Sequence, residues 1–161
     1  MNEKIRIVEG DVLTTSDPVV VHCCNTKNTM NGGVARVLRQ RFPEIYLADS
    51  NLFEANPDGL LGHCELVPIT TDLDKTAIKY IANLYGQKNY GYEGVRYLDY
   101  EAFYTGLHTL RMKMESLKLK HVSMPYKIGC GLAGGHWPVV EAMIKHIFCC
   151  CSAIEVTLYK L

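Results

Sequence analysis

At 161 residues and 48% hydrophobic content, the chain holds material for one ordinary core and little for a second domain, so residues 1–161 read as a single domain. Seventeen Lys and Arg balance seventeen Asp and Glu, which excludes a whole-chain field drawing the protein to nucleic acid or anionic membrane. No apolar run approaches the roughly 18 residues of a membrane span, and Met1–Arg6 has no signal core, so the expectation is a soluble, cytoplasmic protein with no membrane partner.

Strand-like and helical patterns alternate along the chain. Lys4–Val8 and Val19–Cys24 read as strands, and Gly33–Phe42 as a helix with Val34, Val37, Leu38 and Phe42 on one face. A second helical stretch begins at Pro43 and Glu44, with Ile45, Ala48 and Leu52 in register. Asn56-Pro57-Asp58-Gly59 stops it before a strand at Cys64–Thr70. A strand at Ile78–Leu84 precedes Tyr85–Leu98, rich in Gly and Tyr and without apolar period, which marks a long loop of the kind that serves function. Asp99 is a good N-cap for a helix carrying Phe103, Leu107, Leu110, Met114 and Leu117. Val122–Met124 is a short strand, Trp137, Val140, Ile144 and Ile147 form a last amphipathic face, and Ala153–Tyr159 closes the chain as a strand. Strands separated by helices imply a mostly parallel sheet covered on both faces, with ligands at the carboxyl ends of strands.

The seven cysteines are odd in number and lack C-x-x-C spacing, so neither a disulfide framework nor a zinc site is indicated, and no metal or cofactor is expected. The run Cys149-Cys150-Cys151 reads as packed apolar side chains, since reduced cysteine behaves as a small hydrophobe.

Two glycine-bearing segments follow apolar strands. Val19–Asn25 leads to Met30-Asn31-Gly32-Gly33-Val34, and Val122–Pro125 leads to Tyr126-Lys127-Ile128-Gly129-Cys130-Gly131-Leu132. Small residues let backbone N–H groups approach a ligand closely, and a helix starting at Gly33 adds positive dipole potential. Two such loops suggest a diphosphate ligand.

Six segments in one order carry a family resemblance: Gly10-Asp11-Val12, His22-Cys23-Cys24-Asn25, Met30-Asn31-Gly32-Gly33-Val34-Ala35, Tyr80–Leu84 through Gln87, Tyr97 to Ala102, and Met124–Gly135. The chain resembles a macrodomain, and within that family the small stand-alone proteins that process ADP-ribose 1″-phosphate, related to the branch that removes ADP-ribose from glutamate. The resemblance implies a three-layer α/β/α fold around a mixed, mostly parallel sheet. It implies that Asp11 accepts a hydrogen bond from the adenine amino group with the Val12 N–H beside it, and that Asn25 binds the distal ribose. The amides of Gly32, Gly33 and Val34, opposed by those of Ile128, Gly129, Cys130, Gly131 and Leu132, would clamp the diphosphate, with Met30 and Lys127 in the same loops and Tyr159 or Leu161 over the adenine. The residues alone leave Asp11 open as a turn or cap residue and Asn25 as an Asx turn.

The chain departs from the family at the chemistry. The glutamate-linkage hydrolases place an acid directly after Gly-Cys-Gly-Leu, where this chain has Ala133, and their nucleophilic lysine has no clear counterpart. The phosphatase-like relatives carry Gly-Gly-Asp-Trp where this chain reads Gly134-Gly135-His136-Trp137. His136 would then be the general base that orients a water, and His22 would protonate the leaving hemiacetal oxygen or stabilise the phosphoryl group. Cys130 as a nucleophile is disfavoured, because nothing near it in sequence lowers its thiol pKa. Lys88 or Arg96, in the Gly- and Tyr-rich loop, would add charge near the phosphate, and that loop would act as a lid. The expected function is ADP-ribose binding with hydrolysis of ADP-ribose 1″-phosphate. The alternatives are an ADP-ribosyl hydrolase acting on modified protein or nucleic acid, and a non-catalytic ADP-ribose-binding module. A Rossmann-type dinucleotide enzyme is disfavoured, since no G-x-G-x-x-G follows the first strand.

Overall fold

Runs of β-branched residues that are apolar on both sides of the pleat belong in the middle of a parallel sheet, and Val19, Val20 and Val21 are completely buried there. The computed structural model describes residues 4–71, 75–150 and 152–161. Its strands are β1 (Ile5–Glu9), β2 (Val19–Asn25), β3 (Cys64–Pro68), β4 (Tyr80–Gln87), β5 (His121–Pro125) and β6 (Glu155–Lys160). They form one sheet in the order β1-β6-β5-β2-β4-β3, parallel throughout except that β3 runs antiparallel to β4.

The helices are α1 (Gly33–Arg41), α2 (Glu44–Ala55), α3 (Tyr100–Ser116) and α4 (Trp137–Ile144). Alternation along the strands divides the core into two clusters. Val19 and Val21 face Phe103, Leu107, Leu110 and Met114 of α3 and Val140 and Ile144 of α4. Val20 and Cys24 face Leu38 of α1, Phe42 directly after it, and Ile45 of α2. The result is a three-layer α/β/α fold on a mixed, mostly parallel sheet. Among the described residues, no helix is long and apolar enough to cross a membrane.

Several expected boundaries move, for identifiable reasons. β4 runs on through Tyr85, Gly86 and Gln87, in register with Cys24 and Asn25, so the long loop starts only at Lys88. A Cβ on Gly86 would stand 2.9 Å from Cys23 Sγ and 3.0 Å from Phe103, so glycine here permits close packing of strand and helix rather than a turn. β3 stops at Pro68, short of Thr70. Val34 and Val37 are 37% and 49% exposed, so the buried stripe of α1 is narrower than the periodicity suggests. Leu117 lies beyond α3 and is also exposed. The last helix ends at Ile144 and continues as a π-helical turn over Lys145–Cys149. Cys150 is exposed, so it does not pack inside as expected for the cysteine run, and Cys151 lies outside the described residues.

Glu44 opens α2 and reaches across to the end of β3. Its Oε2 accepts from the Thr70 and Thr71 N–H groups at 2.7 and 2.9 Å, and its Oε1 accepts from the Thr71 hydroxyl at 2.7 Å. Partial burial pushes the carboxyl pKa up, but these bonds to its ionised form outweigh that and hold it at about 2, against an ordinary 4.5. A depressed folded-state pKa means that the stabilisation is complete above pH 4.5 and is lost as pH falls toward 2. Thermal melts of Glu44→Gln should therefore lie below wild type at pH 7 and converge with it at pH 2.

Candidate functional site

The connection after β2 runs to α1 on one face of the sheet, whereas the connection after β5 runs to α4 on the other. Neighbouring strands whose connections leave in opposite directions open a crevice at their carboxyl ends. A cavity of about 310 Å³ lies there, bounded by the ends of β2, β4 and β5 and by the loops that follow them.

The first loop spans residues 25–32. Asn25 lines the cavity, with Oδ1 accepting from the Lys27 N–H and Nδ2 donating to Thr29 Oγ1, so the Asx turn is real and still leaves one amide hydrogen and one lone pair. Asn28 and Met30 stand at φ 61 and 44, each costing about 1 kcal/mol or more for a residue with a Cβ. Met30, Gly32, Gly33 and Val34 all line the cavity. Gly32 is the N-cap of α1 and supplies no side-chain acceptor, so the first amides of the helix remain available to a ligand.

The second loop is tied down more tightly than its sequence suggests. The Ile128 N–H donates to Pro125 O and the Cys130 N–H to Lys127 O, so two of the five amides expected to form the clamp are spent on turns. Gly129, Gly131 and Leu132 line the cavity, which leaves three of the five expected amides beside it. Cys130 is not among the lining residues. Burial raises its thiol pKa against the pull of Lys127, which fits a packed rather than a nucleophilic cysteine. Leu132 stands 3.4 Å from the Cβ position of Gly32, so the two loops meet over the cleft.

The strap of residues 88–98 closes a third side. Its end is pinned by the Tyr97 and Leu98 N–H groups, both donating to Ala133 O at 2.8 and 2.9 Å. Tyr90, Gly91 and Tyr92 line the cavity, and the Tyr92 hydroxyl stands 3.7 Å from the Cβ position of Gly32. Neither Lys88 nor Arg96 is among the lining residues. The Arg96 guanidinium lies over the Tyr100 ring at 4.3 Å and donates to Leu98 O. Lys127 is the one Lys or Arg among the described lining residues, and none of those residues is Asp or Glu.

The two histidines do not take their expected places. His22 lines the cavity wall but is only 1% exposed. Asn83 donates to Ile45 O through Nδ2 and so turns Oδ1 toward His22, whose Nε2–H donates to it at 2.7 Å. Burial lowers the imidazole pKa to about 4, more than the Asn83 bond raises it, so the ring is neutral at pH 7 and its one N–H is committed to Asn83. His136 is exposed at the N-cap of α4 and does not line the cavity. Its backbone N–H donates to the Tyr100 hydroxyl, and its imidazole makes no cap. In this structure His136 lies outside the cavity lining, and His22 belongs to the wall as a buried, neutral ring.

Asp11, Val12 and Leu161 also lie outside the cavity, at the carboxyl ends of β1 and β6 on the same edge of the sheet. Asp11 Oδ1 caps a short 3-10 turn through the Leu13 N–H, Val12 is buried, and Leu161 is fully exposed. A buried clip, in which Ser123 Oγ bridges Thr15 Oγ1 and Asp17 Oδ2 at 2.7 Å each, holds that turn against β5. Tyr126 and Ala35, quoted above only as members of their motifs, line the cavity, as does Thr29, which no motif included. Their signal was position, since each adjoins a glycine-bearing loop.

No protein-family model matches the chain. An ADP-ribose 1″-phosphate phosphatase of Scheffersomyces stipitis is 32% identical to it, aligning over 88% of this chain and 93% of its own. The protein of the same name from Lodderomyces elongisporus is 31% identical over 89% and 92%. Among solved structures, the macrodomain of Thermus aquaticus DarG superposes with a TM-score of 0.80 at 24% identity over 98% of both chains. A macrodomain protein from Streptomyces coelicolor does so at 0.76 and 25% identity, over 96% of this chain and 97% of its own.

Proposed function

The chain belongs to the macrodomain family of ADP-ribose 1″-phosphate processing proteins, and on that premise we propose that it binds ADP-ribose in this cleft and hydrolyses ADP-ribose 1″-phosphate to ADP-ribose and phosphate. The observation that carries the reading is the pair of glycine loops meeting over a cavity that, among the described residues, no Asp or Glu lines. Free amides and a helix N-terminus hold a diphosphate, and no like charge opposes it. From β5, two strand spacings of roughly 5 Å each reach β1, so a ligand anchored at the clamp extends its adenosine half to Asp11 and the Val12 amide. Asn25 and Gln87 then face the distal ribose.

In the reaction, water attacks phosphorus and the bond from phosphorus to the anomeric oxygen breaks. One water hydrogen stays on the new phosphate oxygen, and the other passes through a phosphoryl oxygen to the leaving hemiacetal oxygen. Among the described lining residues no carboxylate offers itself as a base, His22 is held by Asn83, and Lys127 is the one Lys or Arg. Positioning and electrostatic stabilisation of the transferring group are the protein's part. The same shortage of acid–base groups favours a second reading, an ADP-ribose-binding module without turnover.

Incubation of pure protein with ADP-ribose 1″-phosphate, alongside calorimetry with ADP-ribose, separates the two. The expected result is binding together with phosphate release that survives His136→Ala. Binding without release would establish the module. Absence of binding would overturn both readings.

A further inference from the structure

Asp49 lies on α2, outside the cleft, and is 1% exposed. A carboxylate so deeply buried is costly unless its oxygens are satisfied. The Tyr85 hydroxyl of β4 donates to Oδ1 at 2.6 Å, and the Asn28 amide donates to Oδ2 at 2.8 Å. Among the described residues no cation pairs with it.

Asn28 is the residue through which this carboxylate touches the binding loop. It adopts a left-handed conformation, its Nδ2 also reaches Ser50 Oγ at 3.1 Å, and its carbonyl accepts from the Tyr46 hydroxyl at 3.0 Å. Three residues of the cavity wall follow directly: Thr29, the left-handed Met30, and Asn31. Arg39, stacked on the Tyr46 ring at 3.6 Å, holds Thr29 O and Asn31 Oδ1. A backbone with two left-handed residues carrying side chains persists only where its surroundings over-determine it. Here the over-determination comes from α1 and α2, and its buried end is tied to the sheet by Asp49.

We propose that Asp49 is a positioning residue for ligand binding, acting through Asn28 to hold the segment from Asn28 to Gly33 in the shape that presents its amides to the diphosphate. The inference deepens the ADP-ribose reading and rests on it for the identity of the ligand. An apolar side chain at residue 49 would cover the same interface without a buried charge, so what the carboxylate supplies is loop geometry.

The test uses Asp49→Asn, Asn28→Gly, which tolerates positive φ but lacks the side chain, and the double variant. Calorimetry with ADP-ribose should show Kd raised about tenfold in each single variant, with stoichiometry unchanged. The double variant should be no weaker than the worse single, because both act through one contact. With ADP-ribose 1″-phosphate, KM should rise while kcat holds, as for lost binding common to ground and transition states. A merely structural role would instead reduce the folded fraction, lowering stoichiometry and kcat at constant Kd and KM.

Amide hydrogen exchange gives a readout independent of ligand. Residues 28–34 should exchange at least about tenfold faster in Asp49→Asn, with β5 and β6 unchanged. Unchanged exchange in that segment, or effects on Kd that add in the double variant, would overturn the proposal. A wild type that binds no ADP-ribose would remove the functional reading, while exchange would still decide the role of Asp49.

Discussion

Gly134→Ala is expected to weaken ADP-ribose binding by about a hundredfold, from a methyl group that never touches the ligand. Gly134 has φ +74, and a Cβ there would stand 2.7 Å from Val95 O and 3.1 Å from the Arg96 Cα, both backbone atoms of the strap. A flexible side chain could yield, but these atoms cannot move without breaking the bonds from the Tyr97 and Leu98 N–H groups to Ala133 O. Ala133 adjoins the clamp residues Gly131 and Leu132, so either the strap lifts or the clamp shifts. Both outcomes misplace the amides proposed to hold the diphosphate, and strain together with clash amounts to roughly 3 kcal/mol. Gly94→Ala separates the two contributions. Its φ is +73 but nothing lies within 4 Å of its Cβ position, so it carries strain alone and should leave Kd within about threefold of wild type. Calorimetry on the pair decides the matter. Equal losses would mean that strap flexibility rather than the Val95–Gly134 contact governs the site.

That contact also shows what a sequence reading can and cannot reach. The glycine loops are legible because their information is local: a buried strand, small residues, then a helix start. The sheet and its helical layers are legible in the same way, from the valines of β2 and the spacing of Phe103, Leu107, Leu110 and Met114. Information carried between distant residues is not legible. Gly86 looks like a loop residue until Cys23 and Phe103 are found against it. Ile128 and Cys130 look like free amide donors until the turn closes on Pro125 and Lys127. The His136 motif fits a catalytic alignment, but helix α4 begins there and leaves the imidazole in solvent. Asp49, 21 residues from its partner Asn28, has no sequence signal at all.

His22 should make the fold sensitive to acid well above the range in which carboxylates titrate. Its imidazole is buried against Asn83 Oδ1, with Cys24 Sγ 3.5 Å from Nε2, and burial lowers its pKa from 6.5 to about 4 despite the Asn83 bond. The unfolded chain therefore binds a proton that the folded chain refuses. Stability from this group is complete above pH 6.5 and is lost as pH falls toward 4, which amounts to about 2 kcal/mol by pH 5 and about 3 kcal/mol by pH 4. For a chain of this length, 2 kcal/mol corresponds to a fall in Tm of about 4–8 °C between pH 7.5 and pH 5. His22→Leu leaves Asn83 Oδ1 without its donor and should be less stable at pH 7.5, yet its own decline to pH 5 should be smaller by that same increment. Urea unfolding of both proteins at the two pH values measures the difference of differences. An unchanged decline in His22→Leu would assign the acid sensitivity to other groups and reopen His22 as an ionisable participant in the cleft. A removed decline fixes it as a neutral member of the wall, and the pH profile of any turnover between 5 and 8 then owes nothing to its ionisation.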